Sequence, residues 1–329
     1  MTFCRCSTMA VFTAALVVPI SIGAAEKTLP GAPFLTLPLS VRQIGMGDVS
    51  LGGNDIMRAW TNPALLAGQD RQWELGFTGA SLFGGLERGI GMGAGWRFAP
   101  EWVAGFFVSD YSVVFNEVDE SGNELSGNTG RRTTAAAFTL ATRLWNNCLG
   151  FTAKRIADGG VGGGTESLSA FAFDAGWFAS WKDYFLGAAA RNIGGKLRGA
   201  DSATPEGVSL PAEGRVAFSR RFVQWNVLVG LEYVDTGSAD TGGINSGVDW
   251  WPVDSFGLRA GAAGLGKAEN TRITGGVSAL VGSMELDYSL VTHALGLTQW
   301  MSVSFMLGSY GTQRTGLERR AVVRAPRMD

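Results

Sequence analysis

What this sequence has little of narrows its chemistry early. In 329 residues there is one histidine, His293, and there are three cysteines. Two of these, Cys4 and Cys6, lie in a stretch that reads as a secretory signal peptide, residues 1–25. Arg5 supplies its positive start, Met9–Ile22 its apolar stretch, and Gly23-Ala24-Ala25 the small residues before a cut. Cleavage leaves Cys148 alone, so the mature chain makes no internal disulfide and no His/Cys zinc cluster. No small-residue lipobox precedes Cys4 or Cys6, which speaks against a lipoprotein anchor. His293 has no nucleophile-elbow serine to serve, so a hydrolase triad has no footing. Charged residues make up only 17% and the net charge is −2, which gives no support for nucleic-acid binding. After Ile22 no apolar run reaches the roughly 18 residues that a membrane helix needs. The composition points to no enzyme, no cofactor and no metal.

What is present is a rhythm. From about Gln72 to Gly308, fourteen short segments read as β-strands, and the gaps between them alternate long and short. Long gaps include Ala80–Glu87, Ser112–Gly130, Ile193–Ala212 and Val291–Leu297. Short ones include Ala99-Pro100, Arg143–Asn147, Arg220–Phe222 and Val281–Ser283. An even strand count, with tight turns at one end and longer loops at the other, predicts an all-β, 14-stranded antiparallel transmembrane β-barrel. Its compartment would be the bacterial outer membrane and its solvent the membrane lipid. Both ends of the mature chain would then lie in the periplasm, on the short-turn side.

Period-2 alternation supports this reading, because a barrel strand has two chemically different faces. Val227, Val229, Leu231 and Tyr233 alternate with Gly230 and Glu232; Met284, Leu286, Tyr288 and Leu290 alternate with Glu285, Asp287 and Ser289. Eight of the eleven tryptophans lie within about five residues of a short turn: Trp96, Trp102, Trp145, Trp177, Trp181, Trp225, Trp250 and Trp251. Indole favours the headgroup level, so this reads as a one-sided aromatic girdle. The run Gly89-Ile90-Gly91-Met92-Gly93-Ala94-Gly95 strips side chains from one strand face, allowing another segment to lie against it.

Four regions follow: the signal at 1–25, an N-terminal hatch or plug at 26–68, the barrel at 69–310, and a basic tail at 311–329. The hatch carries Asn62-Pro63-Ala64. Pro63 removes a donor and keeps Asn62 extended, so Asn62 is placed to cap a short helix. The tail holds Arg314, Arg319, Arg320, Arg324 and Arg327 against Glu318 and Asp329, and could meet an anionic periplasmic partner. Alternation assigns to the lumen the charges Glu74, Arg97, Arg191, Glu232, Arg259, Glu285 and Asp287, together with Lys154, Asp174, Arg215 and Asp249. Both signs are represented, so pairing across the lumen or with the hatch is expected.

Several stretches taken in order resemble the PorV/PorQ-type outer-membrane proteins, relatives of the FadL long-chain fatty-acid transporters. They are Val41–Gly47, Trp60–Ala67, Phe173–Gly176, Gly187–Gly195, Leu210–Glu213 and Gly257–Gly261. The resemblance implies a fourteen-stranded barrel whose N-terminal hatch carries Asn62, Pro63 and Ala64. It departs from the family in two ways: the chain runs about nineteen residues past Tyr310, and the long loops are modest. Two non-enzymatic functions remain open. One is passive, hatch-gated passage of a small hydrophobic or amphipathic ligand. The other, implied by the PorV resemblance, is a docking or shuttle platform for protein secretion, with secretion machinery or a periplasmic partner at the tail.

Overall fold

The computed structural model describes residues 31–52, 55–69, 71–118, 124–161, 167–199, 207–236, 242–266 and 271–308. The signal stretch 1–25 and the tail 311–329 lie outside the described residues. Fourteen strands close into an antiparallel barrel. They are β1 Trp73–Leu82, β2 Glu87–Arg97, β3 Trp102–Val118, β4 Glu124–Leu144, β5 Asn147–Val161, β6 Leu168–Trp181 and β7 Tyr184–Gly194, followed by β8 Glu213–Phe222, β9 Val227–Asp235, β10 Gly243–Val253, β11 Phe256–Leu265, β12 Arg272–Val281, β13 Met284–Val291 and β14 Thr298–Leu307. Each strand pairs with its sequence neighbours, and β14 returns to β1 through pairs such as Phe77 with Val303 and Leu75 with Phe305. Closure leaves no unpaired edge. No helix among the described residues is long and apolar enough to cross a membrane.

Alternation sorts the side chains. Phe77, Ile90, Phe106, Phe138, Phe151 and Leu231 stand exposed on the outside, while Glu74, Arg97, Lys154 and Glu232 are buried inside. An apolar exterior around a polar interior suits a barrel surrounded by lipid, where an outward arginine at the midplane would cost about 2–4 kcal/mol. Trp73 stacks on Trp96 with centroids 5.4 Å apart, at the short-turn end of the ladder that pairs these two residues. Trp102, Trp145, Trp177, Trp181, Trp225 and Trp250 are exposed near the same end. Trp251 is the exception to the girdle: it is buried and lies beneath Arg42 and Arg259. Adjacent strand residues face opposite ways, so Trp250 and Trp251 cannot both meet lipid.

Two expectations about the strands need correction. The gap at Ser112–Gly130 is mostly strand, since β3 runs to Val118 and β4 begins at Glu124, and this hairpin holds the two longest strands. The turn placed at Arg220–Phe222 lies later, where Val223–Trp225 form a 3-10 turn and Asn226 adopts φ 54°. Trp225 therefore precedes its strand. The described residues begin and end at opposite mouths of the barrel. The N–H of Gly31 donates to the carbonyl of Ser209 (2.9 Å) in the β7–β8 connection, at the long-loop end. Leu307 pairs with Trp73 at the short-turn end. The first described residue is thus on the opposite side from the end of β14, because the N-terminal segment threads the barrel before β1 begins.

That segment, residues 31–52 and 55–69, lies inside the barrel against its inner wall. It is built of short pieces: 3-10 turns at Pro33–Thr36, Ile56–Trp60 and Pro63–Gly68, and one short helix, Val41–Gly45. Ser40 caps the helix, its hydroxyl accepting from the N–H of Gln43 at 3.1 Å. In the β7–β8 connection, at the long-loop end, a small ribbon pairs Lys196–Leu197 with Val208–Ser209, and Leu197 and Leu210 are buried. Among the described residues the ladder shifts register at four places: between Phe173 and Ala175 on β6, between Asn116 and Val118 on β3, and between Ile244 and Ser246 and between Trp250 and Val253 on β10.

Candidate functional site

The inner wall is unusually bare where the segment meets it. Gly91, Gly93 and Gly105 face Leu39, Met57 and Leu66, close enough that an added Cβ would press on those side chains. Gly150 and Gly176 lie against Pro63, Ala64 and Asn62; Gly247 and Gly261 lie against the backbone of Met46 and Gly47. At these positions a side chain would occupy the space of the segment's own main chain. Gly47 itself has φ 73° and is hemmed in by the backbone of Ser246 and Ala262, so two independent reasons call for glycine there.

Asn62 holds one anchor. Its Oδ1 accepts from the N–H of Ala64 (3.0 Å), capping the turn Pro63–Gly68, and its Nδ2 donates to the carbonyls of Trp177 (3.1 Å) and Ala188 (3.3 Å) on β6 and β7. Pro63 occupies the first turn, where its missing N–H has no cost. The second anchor lies six strands round the ring. There the N–H of Gly47 donates to Thr274 Oγ1 (2.9 Å), that hydroxyl donates to Gly45 O (3.0 Å), and Ser289 donates to Val41 O (2.8 Å). At the short-turn exit, Arg97 donates to the carbonyls of Ala67 (2.9 Å) and Gln69, and Arg143 also reaches Ala67 O (2.9 Å).

The buried charges gather in two networks. In the first, Arg42 of the segment bridges Asp249 of β10 (3.0 Å) and Glu285 of β13 (2.9 Å). Arg259 of β11 pairs with the same Asp249 (3.0 Å) and with Asp287 (3.3 Å), and Ser278 bonds both Arg259 and Asp287. The Trp251 ring lies 5.0 Å from the Arg42 guanidinium. In the second network, Arg215 meets Asp48 (3.0 Å), Glu213 and Glu232 (3.4 Å), and Glu232 accepts from the N–H of Ser50. Arg191 pairs with Glu213 (3.2 Å) and donates to Leu35 O (2.9 Å). Lys154 pairs with Asp174 (2.7 Å), and its Nζ lies 4.4 Å from the Trp60 ring centroid. Glu74 accepts from the N–H of Ile56 (2.8 Å). Asp55 accepts from Ser40 (2.7 Å), and burial holds its carboxyl above the usual range despite that bond.

Every charge that alternation assigns inward therefore touches either the segment or another wall charge. Their partners on the segment, Arg42, Asp48, Ser50, Ile56 and Trp60, carry no sequence signal for pairing. The signal missed on the wall was the recurrence of glycine at inward positions on β5, β6, β10 and β11, beyond the run on β2. His293 lies at the long-loop end with its ring 4.7 Å from that of Phe83, and its Nδ1 accepts from the N–H of Leu295 (3.2 Å). No cluster suited to a metal ion occurs among the described residues.

Between these polar contacts the wall also carries an apolar cluster. Phe107 and Tyr111 of β3, Ala137 of β4, Ile156 of β5 and Ala172 of β6 form one buried cluster with Phe34, Leu39, Met57 and Leu66 of the segment. The rings of Phe34 and Tyr111 are 5.5 Å apart.

No protein-family model matches the chain, and no curated protein sequence does. Solved structures do match. The Pseudomonas putida toluene transporter TodX superposes with a TM-score of 0.59 at 12% identity, covering 82% of this chain and 99% of that one. A Pseudomonas aeruginosa FadL homologue gives 0.53 at 12% identity, over 82% and 98%. The fold is that of the FadL-like barrels. At this identity the likeness establishes architecture alone, and the PorV/PorQ resemblance has no counterpart among these matches.

Proposed function

We propose that this chain is an outer-membrane barrel passing a small hydrophobic or amphipathic compound, with residues 26–68 as a hatch and residues 69–310 as the barrel. The reading has no catalytic step. The observation that carries it is the division of a closed barrel's lumen. One sector offers an apolar surface on which a hydrophobic molecule can move, and the other holds the hatch by polar contacts that can break and reform. The shared fold with a toluene transporter and a FadL homologue supports the same class of cargo.

In this reading the long loops face outward and the short turns face the periplasm. The signal at 1–25 directs export. Gly31 then sits at the external mouth, and the tail at 311–329 extends into the periplasm, where its arginines can meet an anionic partner. One observation favours a second reading. Asn62, Gly47 and Arg42 fasten the segment to widely separated strands, which suits a rigid docking or shuttle platform of the PorV type as well as a gate.

A deletion strain separates the two. Lost uptake of, or growth on, a hydrophobic substrate, with a normal surface proteome, supports transport. Normal uptake with exported proteins trapped in the periplasm rejects it in favour of the platform.

A further inference from the structure

The outside of the barrel is not uniformly apolar. On β2–β5, near the long-loop end, alternation turns Arg88, Arg132 and Arg155 outward, and among the described side chains there Asp110 is the one carboxylate that faces the same way. Arg88 lies opposite Ser112, and Ser112 lies opposite Arg132, so the two arginines flank one strand at about 10 Å. Arg155 lies lower, opposite Ala136, with its guanidinium 5.9 Å from the Phe171 ring. Arg132 pairs with Asp110 (2.7 Å), yet 64% of its side chain stays exposed. Among the described strand residues, the other outward charges stand apart: Asp235 at the end of β9, and Arg220 beside the aromatic rings of Tyr184 and Phe222 at the short-turn end.

We infer that this arginine face docks a phosphorylated glycolipid of the outer leaflet. The inference rests on the membrane orientation proposed above. An apolar band on such a barrel is about 25 Å tall, or roughly ten residues of tilted strand. Asp110 is eight residues from the start of β3 and Arg155 eight from the start of β5, counting from the short turns. The face therefore begins in the upper part of the band and ends at its rim. Lipid phosphates lie at that level, and outward arginine is tolerated there because the insertion penalty fades toward the interface. Among the described side chains, three guanidiniums stand against one carboxylate, a surplus of two positive charges. Guanidinium meets phosphate through two parallel N–H donors, which a compact ammonium does not provide. Ser112 adds a hydroxyl donor on the same outward row, while the Thr134 hydroxyl donates to Asp110 (3.2 Å). Flanking Ile90, Phe106, Phe138 and Phe171 supply an exposed apolar surface for acyl chains.

The test uses the full-length protein in detergent, with native mass spectrometry as the readout and three probes: bisphosphorylated lipid A, dephosphorylated lipid A and phosphatidylglycerol. The wild type should bind bisphosphorylated lipid A at least about tenfold better than the dephosphorylated form, as charge-assisted hydrogen bonds to phosphate require. The triple variant R88Q/R132Q/R155Q should lose that preference while keeping its heat-modifiable migration on gels. D110N should bind at least as well as wild type. Equal binding of both lipid A forms, or an unchanged triple variant, overturns the site. Phosphatidylglycerol binding as tightly as bisphosphorylated lipid A overturns the glycolipid assignment. A wild-type chain with no heat-modifiable form and no entry into bilayers defeats the barrel reading itself, and the docking face with it.

Discussion

The two sides of the lumen hold the same segment by different physics. Along β2–β6 the wall offers mainly Phe107, Tyr111, Ile156 and small residues, with Arg97 and the Lys154–Asp174 pair as polar exceptions, and the segment answers with Phe34, Leu39, Met57 and Leu66. Burial of this kind is non-directional and tolerates sliding. Along β7–β13 the wall offers Arg191, Glu213, Arg215, Glu232, Asp249, Arg259, Glu285 and Asp287, and the segment answers with Arg42, Asp48 and the N–H of Ser50. Each of these contacts works at one position only. The apolar side holds the segment without fixing its position, while the ionic side fixes register. A segment with almost no regular secondary structure needs both, since its own backbone bonds fix little of its path.

The largest test of this contrast is the latch. Replacing Arg42 with Met leaves Asp249 and Glu285 buried without their shared partner, at an expected cost of about 3–5 kcal/mol. Arg42→Lys should recover only part, because one ammonium cannot fork to two carboxylates. Limited proteolysis of the folded barrel should show new cuts within residues 31–69 for Arg42→Met. Protection equal to wild type would mean the ionic side does not set register.

Met57→Ala tests the apolar side. It removes a fully buried side chain packed at Gly76 and Gly93, for a loss of about 2–5 kcal/mol. The expected loss appears in urea unfolding, with no new cleavage in the segment, because the latch still holds its register. If Met57→Ala opened the segment as Arg42→Met does, the division of labour would collapse.

A smaller effect separates the inner face from the outer. Gly247→Val drives a side chain into the main chain at Met46, an overpacking expected to cost about 1–3 kcal/mol. Gly79→Val points to open space on the outside and should leave the heat-modifiable transition where it is. Equal shifts for the two would remove the close approach of segment to wall as a stabilising feature.

How much of this was legible in the sequence follows from where the information is local. Strand number, closure and the inner and outer faces follow from period 2 and the gap rhythm, because a barrel strand repeats one local pattern. The β3–β4 hairpin was not legible: Ser112–Gly130 is rich in Asn, Gly, Ser and Glu, residues of low strand propensity, and above the lipid neither face need be apolar. Trp251 was placed in the girdle by proximity to a turn, although alternation with Trp250 sends it inward. The capping arrangement at Asn62-Pro63 is local and readable. The partners of Arg42 and of Ser50 are not, since Arg42 and Glu285 are 243 residues apart and only closure of the barrel brings them together.

The most direct test of the central claim, that residues 31–69 close the lumen and are latched on its ionic side, is single-channel conductance in planar bilayers. The wild-type chain should conduct little, and deletion of Phe34–Gly68 should produce large, stable openings. Arg42→Met should fall between them, as brief openings on a closed baseline. If the deletion conducts no more than wild type while remaining heat-modifiable, the segment does not plug the barrel and the account is wrong.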